Sequence, residues 1–66
     1  MIAERIKLLR EQHGLTQAAL SKRLGITRAS VNAWEMGLSV PSTQYLVELS
    51  QIFGVSTDYL LGLNRH

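Results

Sequence analysis

Residues 17–37 read QAALSKRLGITRASVNAWEMG, and the arrangement of the whole chain follows from them. Gly25 suits a helix end with a positive φ, where other residues meet a steric penalty. Thr27 then offers a hydroxyl that can cap the start of a following helix. The pattern predicts two short helices, 17–24 and 28–36, joined by a tight turn. Apolar residues recur at helical spacing on both sides of that turn, namely Leu20, Leu24, Val31 and Trp34.

Two helices joined in this way form a helix-turn-helix unit, which lays its second helix in the major groove of DNA. The residues of this unit resemble the Cro/repressor-type helix-turn-helix family, also called the Xre-like family, as in phage repressors. The matching positions of the unit are Leu15, Thr16, Gln17, Leu20, Leu24, Gly25, Ile26, Val31, Trp34, Glu35 and Gly37. Beyond it, the similarity continues through Pro41, Ser42, Leu46, Leu49, residues 53–56 and residues 58–61. It therefore covers nearly the whole chain.

The resemblance implies an all-α fold, a compact bundle of five short helices like the lambda-repressor DNA-binding domain. Its helix-turn-helix would occupy helices 2 and 3, at about residues 17–36. Sixty-six residues are enough for one domain, 1–66. Ser21 stands where the family usually carries alanine. Because serine is nearly as small, we expect the two helices of the unit to keep their close approach.

Glycine and hydroxyl residues mark the helix boundaries. Each of the five glycines follows a segment with helical periodicity and is predicted to end a helix. The N-caps are predicted at Thr16, Thr27, Ser42 and Ser56. The predicted helices span 2–13, 17–24, 28–36, 43–53 and 57–61. No segment alternates between polar and apolar residues as a strand does.

Composition narrows the class of function. The chain contains no cysteine, so thiolate metal sites and disulfides are excluded. No apolar run approaches the roughly 20 residues of a membrane span, and the N-terminus lacks the apolar block of a signal peptide. No nucleophile–base pair, phosphate loop or metal-ligand cluster is present. We therefore expect a cytoplasmic protein that is not an enzyme and needs no cofactor or metal.

Charge is distributed unevenly along the chain. Residues 1–28 hold six of the seven Lys and Arg residues against two Glu, whereas residues 29–66 hold one Arg against three acidic residues. Such an asymmetry favours a polyanionic partner on one face. Solvated surface charge is the alternative, because small helical proteins carry it in any case.

The predicted second helix of the unit presents a polar, small-residue face. At about 100° per residue, four residues fall on one side and Val31 and Trp34 on the other, where Trp34 is predicted to join the core. An arginine can pair with guanine O6 and N7, an asparagine with adenine N6 and N7, and alanine can touch a thymine methyl. The alternative is that these side chains are ordinary solvated residues. The predicted base contacts are Arg28, Ala29, Asn32 and Ala33.

Phosphate contacts are predicted around this face. Gln17 opens a helix, where free N–H groups and the helix dipole favour an anion, and it matches a phosphate-binding position of the family. The full set of predicted phosphate contacts is Gln17, Thr27, Ser30, Gly37, Ser39 and Thr43. No Lys or Arg lies between Ala29 and Asn64, and non-specific affinity depends on neutralised phosphates. We therefore expect two copies to act together, on half-sites about 34 Å apart.

Two further sets of residues follow from the resemblance. It implies that Arg10 and Glu35 form an ion pair between helix 1 and helix 3; direct phosphate contact by Arg10 is the rival role. It also implies that copies associate through the C-terminal end. The predicted homodimer interface is Tyr59, Leu61 and Leu63, although scattered exposed leucines are normal on a monomer surface.

Together these features predict a sequence-specific DNA-binding transcriptional regulator, acting as a repressor on a palindromic operator in double-stranded DNA. The alternative is a protein-interaction module, such as an antitoxin-like domain, whose apolar surface near Val40, Leu61 and Leu63 meets another protein. Large anchors such as Leu, Phe or Tyr would then be expected on the face of residues 28–33. That face carries none of them, which favours the regulator.

Overall fold

The computed structural model describes residues 2–63 and contains five α-helices in that range, with no strand. They are α1 (Ile2–Gln12), α2 (Gln17–Leu24), α3 (Arg28–Glu35), α4 (Thr43–Phe53) and α5 (Thr57–Leu61). The predicted all-α fold and the order of its helices are thereby confirmed. The ends of α1 and α3 each come one residue earlier than predicted. In both cases the next residue still donates its N–H to a carbonyl four positions back, so the difference concerns only the fraying last turn.

The turn between α2 and α3 has the predicted geometry. Gly25 has φ 71° and ψ 31°, in the left-handed region, and donates to the carbonyl of Lys22. Thr27 is extended, and its hydroxyl accepts a hydrogen bond from the N–H of Ser30 at 3.3 Å. Thr16 and Ser56 cap α2 and α5 in the same way, whereas Ser42 begins α4 without a side-chain cap hydrogen bond.

An apolar residue follows each of the five glycines, where a helix-ending turn normally places a contact with the preceding helix. Three of these residues, Leu15, Ile26 and Val55, pack against the core. The other two stay in solvent: Leu38 is 76% exposed and Leu63 is 60% exposed. These two positions therefore present apolar surface that the described fold does not cover.

All five helices contribute to one core, which holds α3 against the rest of the domain. Its buried apolar residues are Ile6, Leu9, Leu20, Leu24, Val31, Trp34, Leu49, Phe53 and Leu60. Trp34, predicted as core, lies with its ring centroid 5.8 Å from that of Tyr45 on α4. Ser21 is also buried, and its hydroxyl donates to the carbonyl of Ala18 at 2.7 Å, so the polar group is satisfied while the helices stay close.

The described part of the chain is small in every direction, with a Cα radius of gyration of 10.8 Å. Over residues 2–63 none of the helices has the length and apolarity needed to cross a bilayer. The same residues bring together no group of three or more His, Asp or Glu side chains suited to a metal ion.

Candidate functional site

The outer face of α3 is the side of this helix that points away from the core. Val31 and Trp34 anchor the helix, at 0% and 6% exposure. The opposite side holds the four residues predicted to read bases: Arg28, Ala29 and Asn32 are exposed, and Ala33 is half-buried. The outer side of α3 therefore carries the guanidinium of Arg28, the amide of Asn32 and two alanine methyl groups. The opposite side of the helix is buried in the core.

A buried ion pair joins α1 to the end of α3. Arg10 Nε donates to Glu35 Oε2 at 2.6 Å, and Nη2 donates to Oε1 at 3.0 Å. The third donor, Nη1, reaches the carbonyl of Leu15 at 2.8 Å. The two side chains are 11% and 4% exposed. A two-point pair of this kind fixes orientation as well as distance, so it holds the C-terminal end of α3 against α1.

The pair shifts the titration of both groups. Burial by itself would raise the pKa of the Glu35 carboxyl, but hydrogen bonds from Arg10 and Gln17, with the charges of Arg10 and Lys7, outweigh it and lower that pKa. The hydrogen bond to Glu35 raises the pKa of the Arg10 guanidinium despite its burial. Both groups are therefore charged at neutral pH.

Gln17 extends this pair to the outer face of α3. Its Nε2 donates to Glu35 Oε1 at 3.0 Å and to Asn32 Oδ1 at 3.2 Å. A continuous chain of hydrogen bonds therefore runs from Arg10 in the interior to Asn32 at the surface. The hydrogen bond between Gln17 and Asn32 was not predicted from the sequence. The sequence contains one indication of it: Asn32 and Glu35 are three residues apart and therefore share a face of α3, so one side chain of α2 can reach both.

The lowered pKa of Glu35 predicts a pH-dependent stability. Because its pKa is lower in the folded protein, its contribution is complete above the ordinary carboxyl value of 4.5 and is lost as the pH falls through the folded value. We expect the free energy of unfolding of Glu35→Gln to lie below that of the native sequence at pH 7. Urea titrations from pH 7 to pH 3 should show the two curves converging. A constant gap would contradict the assignment.

The family of the chain follows from a match that includes both helices of the helix-turn-helix unit. A model of the family described as helix-turn-helix matches residues 6–60, which include α2, α3 and their connecting turn. The chain belongs to the helix-turn-helix family. Its resemblance to the Cro/repressor-type, Xre-like group is confirmed by the relatives that it matches.

Relatives of this helix-turn-helix chain include regulators, an antitoxin and a phage repressor. The uncharacterized HTH-type transcriptional regulator YqaE of Bacillus subtilis is 43% identical over 61 residues, which cover 92% of this chain and 53% of YqaE. Antitoxin PezA of Streptococcus pneumoniae is 39% identical over 65 residues, covering 98% of this chain and 41% of PezA. The chain spans about half the length of the first curated relatives that it matches.

A solved structure of the P22 c2 repressor in complex with a synthetic operator has the same helix-turn-helix fold. The TM-score is 0.89 with 33% sequence identity, and the match covers 97% of each chain. The predicted likeness to phage repressor DNA-binding domains is thereby confirmed.

The residues predicted to contact phosphate lie at the start of α2 and around α3. The hydroxyls of Thr27 and Ser30 are 3.1 Å apart and share a hydrogen bond at the start of α3. Gly37, Ser39 and Thr43 are exposed in and after the α3–α4 loop.

A cleft of about 420 Å³ separates the α3–α4 loop from α3. Its lining residues are Ile26, Ala29, Ser30, Ala33, Trp34, Ser39, Ser42 and Tyr45.

Gln17 differs from the other predicted phosphate contacts. Its side-chain N–H groups are directed at Asn32 and Glu35, so the backbone N–H at the start of α2 is the group best placed for a phosphate. Met36, for which the sequence predicts no role, is 65% exposed and follows Asn32 by four residues. It therefore continues the outer face of α3.

The predicted interface residues lie on and just after α5. Leu61 and Leu63 are 39% and 60% exposed. Tyr59 is half-buried: it packs against the core, and the Arg5 guanidinium lies 4.3 Å from its ring centroid. Arg5 Nη1 also donates to the backbone carbonyl of Tyr59 at 3.0 Å. This contact joins α5 to α1, and sequence reasoning did not predict it.

Proposed function

We propose that this chain is a sequence-specific DNA-binding transcriptional regulator that acts as a repressor on a palindromic operator. The observation that carries the proposal is the outer face of α3, where Arg28 and Asn32 project beside two alanines from a helix anchored by Val31 and Trp34. The similarity to the P22 c2 repressor, solved with a synthetic operator, supports it. In this proposal the protein acts on DNA in the cytoplasm as a binding protein and not as an enzyme.

Each side chain of the reading face has a distinct role in the proposal. Arg28 donates to the O6 and N7 acceptors of a guanine, and Asn32 hydrogen-bonds a second base edge. Ala29 and Ala33 let the helix backbone approach closely and contact thymine methyl groups. Phosphate contacts set the register of the protein on the duplex without reading sequence. They come from Gln17, Thr27, Ser30, Gly37, Ser39 and Thr43.

The proposed regulator works as a homodimer because one copy offers few cations to DNA. Arg10 is held by Glu35, and Arg5 lies against Tyr59. The exposed apolar side chains of Leu61 and Leu63, with Tyr59, form the proposed contact between copies. Two copies related by a twofold axis read two half-sites about one helical turn, roughly 34 Å, apart.

This arrangement predicts a modest salt dependence and a strong dependence on protein concentration. If, besides the uncharged phosphate contacts, about two of the exposed cations Lys7, Lys22 and Arg23 of each copy neutralise phosphate, the slope of log affinity against log salt is about −4 for the dimer. Fluorescence anisotropy with a labelled palindrome at several salt and protein concentrations would measure both quantities. A monomer that binds a single half-site tightly at physiological salt would contradict the dimer.

Selection from a random DNA pool tests the proposed function. The purified protein is incubated with the pool at low salt, and the retained DNA is amplified and sequenced over several rounds. We expect one enriched sequence with twofold symmetry. Retention without enrichment of any sequence would indicate binding without base readout, which contradicts the proposal.

A second candidate function is an antitoxin-like protein-interaction module. The similarity to antitoxin PezA favours it, as does the exposed apolar loop after α3, where Met36, Leu38 and Val40 are 65%, 76% and 70% exposed. In this case DNA binding would be secondary or absent. Failure to retain DNA in the pool experiment, combined with a stable complex with a co-expressed partner, would favour this module over the regulator.

A further inference from the structure

The last helix, α5, is too short to be stable by itself. It has five residues, whereas isolated helices of fewer than about 12–15 residues are marginal in water, so contacts with the rest of the chain must hold it. Leu60 is 0% exposed and anchors its inner side. The hydroxyl of Ser56 accepts a hydrogen bond from the N–H of Tyr59 at 3.0 Å and caps its start. Neither contact reaches the residues that follow, 61–63.

The C-terminal end of α5 is a helix-ending turn without the apolar contact that usually closes it. Gly62 has φ 76° and donates to the carbonyl of Tyr59 at 3.1 Å, and Leu63 donates to the carbonyl of Asp58 at 2.8 Å. In such a turn the residue after the glycine normally packs against one of two residues near the start of the last turn. Here those residues are Thr57 and Asp58, which offer no large apolar side chain. Leu63 therefore stays 60% exposed and is available to another surface.

Arg5 on α1 supports this turn from outside the helix. Its Nη1 donates at 3.0 Å to the carbonyl of Tyr59, the same oxygen that accepts from Gly62. Its guanidinium carbon lies 4.3 Å from the centroid of the Tyr59 ring, within the range of a cation–π interaction. A cation at the C-terminal end of a helix also interacts favourably with the helix dipole. Arg5 thus holds both the backbone and the side chain of a residue two positions before Leu61.

We propose that Arg5 is a positioning residue for the contact between copies: it holds the end of α5 in the conformation that displays Leu61 and Leu63 to the second copy. The inference rests on the homodimer of the proposed function and names the residue that prepares its interface. Without Arg5, the end of α5 frays in the free chain and has to be ordered when two copies associate. Association then carries the entropy cost of that ordering. Arg5 acts here through α5 and not on DNA.

Affinity for a palindrome and for its isolated half-site tests the inference, because only the palindrome binds two copies side by side. Both DNAs are taken from the sequence enriched in the pool selection, and the ratio of the two affinities is measured at low salt. For Arg5→Met we expect this ratio to fall about tenfold, the cost of ordering about one further residue, with the half-site affinity unchanged. Gln12→Met, which places an exposed methionine elsewhere on α1, is the matched control and should keep the native ratio.

Amide hydrogen exchange examines the same turn without DNA. The N–H groups of Gly62 and Leu63 are hydrogen-bonded in the native chain and should exchange faster in Arg5→Met, while those of α3 keep their native rates. Arg5→Lys retains the cation without the planar fork, so we expect a smaller change in the same direction in both measurements. Urea unfolding identifies which variants are folded, and Arg5→Lys carries the test if Arg5→Met does not fold.

The outcomes separate this inference from the proposed function. A native affinity ratio in the folded Arg5 variants would overturn it, as would native exchange rates at Gly62 and Leu63. An equal loss of affinity on palindrome and half-site would also overturn it, and a smaller salt slope would then assign Arg5 to a phosphate. A native protein that binds the palindrome no better than the half-site would instead be a failure of the proposed homodimer, and the inference would fall with it.

Discussion

Arg10→Met is expected to lower the free energy of unfolding by about 3–5 kcal/mol, because it leaves the Glu35 carboxylate buried without its partner. The side chain of Glu35 is 4% exposed, and Gln17 would then be its remaining side-chain hydrogen-bond donor within residues 2–63. Natural domains are stable by about 5–15 kcal/mol, and small ones lie near the lower limit. A loss at the upper end of this range would leave a large fraction of the molecules unfolded at 25 °C. Urea or thermal unfolding measures it directly.

The same variant distinguishes the two roles considered for Arg10. Under conditions where Arg10→Met is still folded, the salt dependence of DNA binding should match that of the native protein. A smaller salt slope with unchanged stability would contradict the ion-pair role and assign Arg10 to a phosphate. Arg23→Met is the matched control, because Arg23 is exposed at the end of α2 and its loss should change stability by no more than about 0.5 kcal/mol.

Trp34→Ala is expected to cost about 3–5 kcal/mol of unfolding free energy, since it removes a large buried ring and leaves a cavity. Trp34 is 6% exposed and lies against Tyr45, so its truncation also loosens the anchor of α3. Trp34→Phe retains most of the buried volume and should be milder. Denaturant titration compares the two variants.

An exposed apolar residue serves as the control for Trp34. Leu38, 76% exposed in the loop after α3, should tolerate Leu38→Ala within about 0.5 kcal/mol. If Trp34→Ala instead kept native stability and lost only DNA affinity, the tryptophan would belong to the DNA interface and its assignment to the core would be contradicted.

The helices could be predicted because their signals are local. A glycine with its following apolar residue ends each helix, and a hydroxyl residue begins four of them, so boundaries could be read within a residue or so. Ser42 shows the limit of this logic, because it occupies the N-cap of α4 without making the side-chain hydrogen bond. Position in the sequence predicts the cap residue, but the rotamer of its side chain depends on the surroundings.

Contacts between helices were less accessible to sequence reasoning. The Arg5–Tyr59 contact joins residues 54 positions apart, and nothing in either segment singles out the other. The Gln17–Asn32 hydrogen bond depends on how α2 and α3 cross, which the spacing of apolar residues does not specify. The outer face of α3 was predictable, because helical periodicity and the anchors Val31 and Trp34 determine which side faces out.

The most direct test of base readout by α3 is the affinity of native protein and Arg28→Ala for the selected operator and all its single-base variants. Arg28→Ala should lose about 1–3 kcal/mol on the operator and become indifferent to one base pair in each half-site. Its preferences elsewhere should persist, and Arg23→Ala should retain all of them. An equal loss on every sequence, with a salt slope smaller by about one, would assign Arg28 to phosphate. That result would contradict base readout by Arg28.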